Sequence, residues 1–165
     1  MDRRSQLVRE EDEGYAALGS LLDRLRAQDL VEPGLTPDWS VKDLLAHLGC
    51  WMAEAAHVME RIALGTWEET GTDVDASNRE FYEACRDLDT RAVKCELWSA
   101  RAMMLHAWGA LAEITPAAEE WFVESGAAHY REHLPDLERF VRSRGRPGLS
   151  RRRAPPFPGM PEPRP

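Results

Sequence analysis

His129 and His133 stand four residues apart in His129-Tyr130-Arg131-Glu132-His133. On a helix that spacing points both imidazoles the same way, so that both reach one metal ion. His47 lies in the run Trp39-Ser40-Val41-Lys42-Asp43-Leu44-Leu45-Ala46-His47-Leu48, on the apolar stripe of another helix. It would complete a three-nitrogen site with open positions. Such a site is catalytic in character, because a structural zinc site fills its fourth position with protein. Three neutral imidazoles leave a divalent ion its full positive charge, which acidifies a bound thiol or water and polarises a carbonyl.

Other side chains group around these three. At about 100° per residue, His47, Trp51, Glu54 and Val58 fall within about 40° of one another on their helix. Glu54 is therefore the candidate general base or partner of a ligand, against the plainer role of an acid at the stripe edge. Trp51, one turn beyond His47, would line the mouth of a pocket. Tyr130 is a candidate hydrogen-bond donor into that pocket, with core packing as its competing role. Glu132 precedes the second histidine rather than following the first, so the pair is not the H-E-x-x-H arrangement of metalloproteases. His57 and His106 fall off these faces or lack a partner and read as bystanders. Trp39, Trp51, Trp98, Trp108 and Trp121 read as packing the core or a dimer surface, with Trp39 anchoring the start of the helix that carries His47.

The elements that must position these residues are helical. Leucine, alanine, glutamate and arginine dominate, and neither strand-like alternation nor hairpin dipeptides occur. A first helix is expected over Ser5 to Gln28, broken by Glu32-Pro33-Gly34-Leu35-Thr36-Pro37-Asp38. A second starts at the Ser40 cap, with Asp43 answering in a capping box, and stops at Leu64-Gly65. A short helix over Asp75 to Arg86 follows a loop, then a long one from Asp89 or Thr90 to about Ile114. Thr115-Pro116 opens a brief turn of helix through Trp121. The last helix begins near Ser125-Gly126, and Pro135 inside it predicts a kink just after His133. The fold class is all-α, a bundle of four main helices with one or two short ones.

Composition bounds the rest. The chain has 165 residues, enough for one domain with a core. Residues 1–143 read as that domain and 144–165 as a disordered tail, which holds seven of the eleven prolines. The tail carries six arginines against Glu162, so of the net charge of −8 the remaining body carries −13. An acidic body repels phosphates, which argues against a nucleic-acid surface. Nothing approaches the roughly 18 unbroken apolar residues of a membrane span, and no secretory leader is evident, which points to the cytoplasm. Cys50, Cys85 and Cys95 are not spaced as C-x-x-C and read as reduced, buried thiols.

Two runs, Trp-Ser-Val-Lys-Asp-Leu-Leu-Ala-His-Leu-x-x-Trp (Trp39 to Trp51) and His-Tyr-Arg-Glu-His-Leu-Pro-Asp-Leu (His129 to Leu137), resemble the DinB/YfiT-like superfamily. Asn78-Arg79-Glu80-Phe81-Tyr82 followed by Arg86-Asp87-Leu88 looks like its ClbS/DfsB branch. The resemblance covers roughly Ser5 to Arg144. It implies a DinB-like four-helix bundle, up-down-down-up with a long crossover, and a homodimer. It implies a divalent metal, zinc or nickel, on His47, His129 and His133. Characterised members of the superfamily include thiol-dependent isomerases and S-transferases that use bacillithiol, mycothiol or glutathione. The expected activity is thus thiol transfer or addition to a small electrophilic metabolite or xenobiotic, with a low-molecular-weight thiol as co-substrate. The ClbS branch includes a protein that protects its producer from a cyclopropane-bearing genotoxin, which gives the alternative: hydrolytic or sequestering self-protection. A non-catalytic bundle that binds a small molecule is the third reading.

Overall fold

Ser40 starts the helix on which the site depends. Its hydroxyl accepts from the Asp43 amide at 3.3 Å, and the Asp43 carboxylate accepts from the Ser40 amide at 2.8 Å. Two of the donors that every helix N-terminus leaves unpaired are satisfied in this way. The helix runs over Val41–Ala63 and ends where Gly65 takes a φ of 67°, a left-handed conformation that glycine adopts without strain.

The structure, a computed structural model, describes residues 2–144. Its elements are α1 (Arg3–Leu22), a 3-10 turn (Ala27–Leu30), α2 (Val41–Ala63), α3 (Val74–Cys85), α4 (Thr90–Ala110), α5 (Pro116–Ser125) and α6 (Ala127–Ser143). The fold is all-α, with no strand among the described residues. The long helices pack in two main pairs, α2 with α4 and α1 with α6, and α5 and α3 lie against α2. Their shared core includes Leu7, Leu18, Leu44, Leu48, Met104 and Leu137, all nearly inaccessible to solvent. No helix among the described residues is long and apolar enough to cross a membrane.

Several boundaries differ from the sequence reading, each for a local reason. α1 stops at Leu22, six residues short of Gln28; the chain turns there and restarts as the 3-10 segment, whose Asp29 carboxylate takes the Arg26 amide and guanidinium. α4 ends at Ala110 rather than near Ile114, because Leu111 is already extended. Arg4 of α1 reaches over and donates to the carbonyls of Trp108 and Leu111, partners that a helix C-terminus lacks. α5 continues to Ser125, past the expected end at Trp121. α6 runs through Pro135 as one helix. Arg144, placed in the tail from composition, pairs with Glu32 and lies over the Phe140 ring at 4.4 Å, so it belongs to the folded body. The rest of the expected tail, 145–165, lies outside the described residues.

The tight fit of α1 on α6 yields a pair of predictions of opposite sign. A Cβ at Gly14 would stand 2.4 Å from Cδ2 of Tyr130, whose ring is buried, whereas a Cβ at Gly19 would meet nothing within 4 Å. Alanine improves helix propensity at both. Gly19→Ala is therefore expected to stabilise by about 0.5–1 kcal/mol. Gly14→Ala is expected to destabilise by about 1–3 kcal/mol through overpacking. Denaturant unfolding of the two variants checks the signs.

Candidate metal centre and pocket

His47 comes from the second turn of α2, and His129 and His133 from the first two turns of α6. The packing of the bundle brings the three together, although 82 residues separate His47 from His129. The Nε2 atoms of His47 and His129 lie 2.8 Å apart, and ligand nitrogens of all three fall within 4.8 Å of one another. The ring centroids are 4.7 Å (His47–His129), 5.1 Å (His47–His133) and 4.9 Å (His129–His133) apart. Trp39, next to the Ser40 cap, closes one side, with its ring 5.0 Å from His47. The sequence therefore located all three candidate ligands, on the two helices it assigned to them.

The electrostatics suit a cation in one respect above all: the imidazoles are neutral. Burial lowers the His47 pKa to about 4, with His133 adding to the effect. Burial likewise lowers His129 to about 3, reinforced by His47 and His133. His133 is also lowered by burial. Neutral rings offer lone pairs without first losing a proton. Nδ1 of His129 is buried with no hydrogen-bond partner among the described residues. Three convergent neutral nitrogens are a donor set that zinc and nickel accept, so the residues present fit a divalent ion.

A pH dependence follows for the metal-free protein. The unfolded chain protonates His47 and His129 near 6.5, the folded chain near 4 and 3. Because the folded pKa is the lower, their contribution to stability is intact above pH 6.5 and is lost as the pH falls toward 4. Melting temperatures of metal-free protein from pH 7.5 to 4.5 are expected to fall, and to fall less in a His47→Gln/His129→Gln variant. Parallel profiles for the two would contradict this.

The triad forms part of the lining of a cavity of about 1000 Å³. That volume holds a drug-sized molecule. α2 contributes Trp51, Glu54, Val58, Arg61 and Ile62 beside His47, which bears out the shared face read from the sequence. Trp51 donates from Nε1 to Oδ1 of Asn78 on α3 at 2.9 Å, and its ring meets Phe81 at 5.3 Å. Glu132 lines the cavity next to His133.

Other expectations need correction. Tyr130 is not among the lining residues. It is 1% exposed and donates to Oε1 of Glu11 at 3.1 Å, and burial followed by that carboxylate raises its pKa. It is a core residue of the α1–α6 contact, and no proton leaves it at neutral pH. Trp98 is 65% exposed, so of the two roles read for it, core or dimer surface, the core is excluded. Of the tryptophans read as packing, only Trp108 is fully enclosed, stacked on Phe122 at 4.4 Å, while Trp39, Trp51 and Trp121 line the cavity. Cys95 is exposed. Cys50 and Cys85 face each other at 3.7 Å, and burial together with Cys85 pushes the Cys50 thiol up to about 12, so it is no nucleophile at neutral pH. His57 and His106 are exposed and outside the cavity.

Sequence reasoning missed Trp67 and Glu68 in the loop after α2, and Glu120 and Glu124 on α5. The loop has no periodicity to read. On α5, the spacing of Glu120, Trp121 and Glu124 marks one helical face, a signal obscured by ending that helix at Trp121.

No known protein family's sequence profile matches the chain, and no curated protein is significantly similar to it. Among solved structures, the chain is similar to the crystal structure of an uncharacterised protein from Escherichia coli UTI89. The TM-score is 0.69 at 15% identity, over 86% of this chain and 94% of that one. At that identity the likeness shows the fold alone.

Proposed function

We propose that the protein is a DinB/ClbS-type metalloenzyme in which His47, His129 and His133 hold one zinc or nickel ion. Its proposed reaction is addition or transfer of a small thiol to an electrophilic metabolite or xenobiotic. The observation that carries this reading is the convergence of three neutral imidazoles on one wall of a cavity large enough for a substrate. When bound, the ion supplies a Lewis acid that favours thiolate over thiol and polarises a carbonyl. The chain's own residues do the rest. Glu54, half-buried in the same cavity, takes the proton that the nucleophile releases. Trp39 fixes the His47 ring, and Trp51 holds α3 over the cavity through Asn78.

A cytoplasmic homodimer that binds neither nucleic acid nor membrane completes the proposal. Trp98 and Met103 on α4 are exposed apolar side chains that a second copy would cover. The test of the activity is a screen of low-molecular-weight thiols against electrophiles with protein of known metal content. Turnover by the metal-loaded protein and none by a His47→Ala variant are expected; equal turnover by both overturns the reading.

One observation favours the second reading, hydrolytic or sequestering protection against a reactive genotoxin. Carboxylates crowd the cavity, and they repel thiols that carry carboxylates of their own, whereas water is uncharged. Tolerance of expressing cells to electrophilic genotoxins, compared with cells expressing His47→Ala, separates the two. Protection without thiol consumption supports hydrolysis or capture.

A further inference from the structure

The walls of the cavity differ in chemistry from its metal-binding part. Six glutamates line it: Glu54, Glu68, Glu69, Glu120, Glu124 and Glu132. They come from α2, from the loop that follows it, from α5 and from α6, so the negative charge surrounds the space rather than marking one edge. Arg61 is the one cationic side chain among the described lining residues, and it donates to the Thr66 carbonyl at 2.9 Å. Four indoles stand among these acids: Trp39, Trp51, Trp67 and Trp121. Trp51 and Trp121 adjoin, with ring centroids 6.3 Å apart and planes 35° from parallel, and form one aromatic wall between α2 and α5.

We infer that this cavity selects cationic organic ligands, molecules that carry an ammonium or guanidinium group beside an apolar body. The inference rests on the reading of the cavity as the substrate site. Two independent features carry it. The carboxylates, of which Glu54 is half-buried and the other five are exposed, concentrate cations and disfavour anions in the concave space they line. The indole faces attract a cation through their quadrupole and at the same time cover its apolar part, as aromatic cages do for quaternary ammonium groups. A neutral apolar ligand gains from the indoles alone. An anionic one meets the repulsion of six carboxylates against the single cation of Arg61.

The test uses three phenylalkyl probes of one chain length, bearing a trimethylammonium, a hydroxyl or a carboxylate. The quaternary nitrogen has no lone pair, so it cannot act as a metal ligand. Binding is followed by indole fluorescence and calorimetry, with the metal-free full-length chain and with the His47→Ala variant. The trimethylammonium probe is expected to bind at least about 10-fold more tightly than the alcohol, and the carboxylate more weakly than either. The preference should shrink as salt rises. A Glu120→Gln/Glu124→Gln variant, which conserves side-chain volume on the exposed face of α5, should lose most of the preference and keep the alcohol's affinity. Equal affinities for cation and alcohol, tighter binding of the carboxylate, no binding of any probe, or an unchanged preference in the glutamine variant would each overturn the inference. Metal titration of the same samples keeps the two readings apart: failure of the charge preference with stoichiometric metal uptake removes this inference alone, and retained preference without metal uptake removes the metalloenzyme reading alone.

Discussion

His129→Ala is expected to lower the affinity for zinc or nickel by at least about 100-fold, since losing partners outside the ligand set already costs 10–100-fold in such sites. His129 is the central member of the triad, 2.8 Å from His47 through Nε2 and one helical turn from His133. Its removal leaves two nitrogens from different helices, with no other histidine in the cavity to replace it. His47→Ala should behave alike, because it removes the contribution of α2. His57→Ala serves as the control, being exposed and outside the cavity. Competition titrations against a chromophoric chelator measure all three. Melting curves of the metal-free variants are expected to show that folding survives, as among the described residues neither ring carries a hydrogen bond to another helix except the His47–His129 contact itself. A His129→Ala protein with wild-type affinity would place the ion elsewhere.

The second large effect concerns stability. Glu11 of α1 is fully buried, and it is held by Arg101 of α4 through contacts at 2.9 and 2.6 Å and by the Tyr130 hydroxyl at 3.1 Å. Arg101 also pairs with Asp12 at 2.5 Å and lies over the Tyr15 ring at 4.1 Å. Burial opposes its charge, but Glu11 and then Asp12 hold its pKa above the ordinary guanidinium value. Arg101→Met would leave the Glu11 carboxylate enclosed with a phenol as its main partner. Breaking a buried pair from one side costs about 3–5 kcal/mol, which at about 2–4 °C per kcal/mol for a chain of this size lowers the melting temperature by roughly 10 °C. The double variant Glu11→Leu/Arg101→Met should recover much of the loss, since an apolar replacement of the whole pair leaves no stranded charge. A single variant as stable as the parent would mean that Glu11 is stabilised by other groups.

What the chain reveals in advance depends on how local the cause is. The Ser40–Asp43 box and the Gly65 stop involve residues a few positions apart, so the start and end of α2 are legible. The histidine triad is legible for a related reason: each half lies on one amphipathic helix, and a bundle must turn those faces inward. The Glu11–Arg101–Tyr130 network was hidden because it joins residues 90 and 119 positions apart, and nothing in a buried glutamate's neighbours announces it. The same distance explains why Tyr130, adjacent to a ligand in sequence, faces α1 rather than the cavity: successive residues on a helix point about 100° apart. The end of α4 depends on Arg4, more than a hundred residues earlier. The acidic, indole-rich wall is assembled from α2, a loop, α5 and α6, so its charge emerges only when those segments are together.

Whether His47, His129 and His133 hold one ion is read out by X-ray absorption spectroscopy on protein loaded with one equivalent of zinc or nickel. Three imidazole nitrogens are expected around the ion, reduced to two in the His47→Ala protein. A shell dominated by carboxylate oxygen or by thiolate sulfur, unchanged by that substitution, would contradict this assignment.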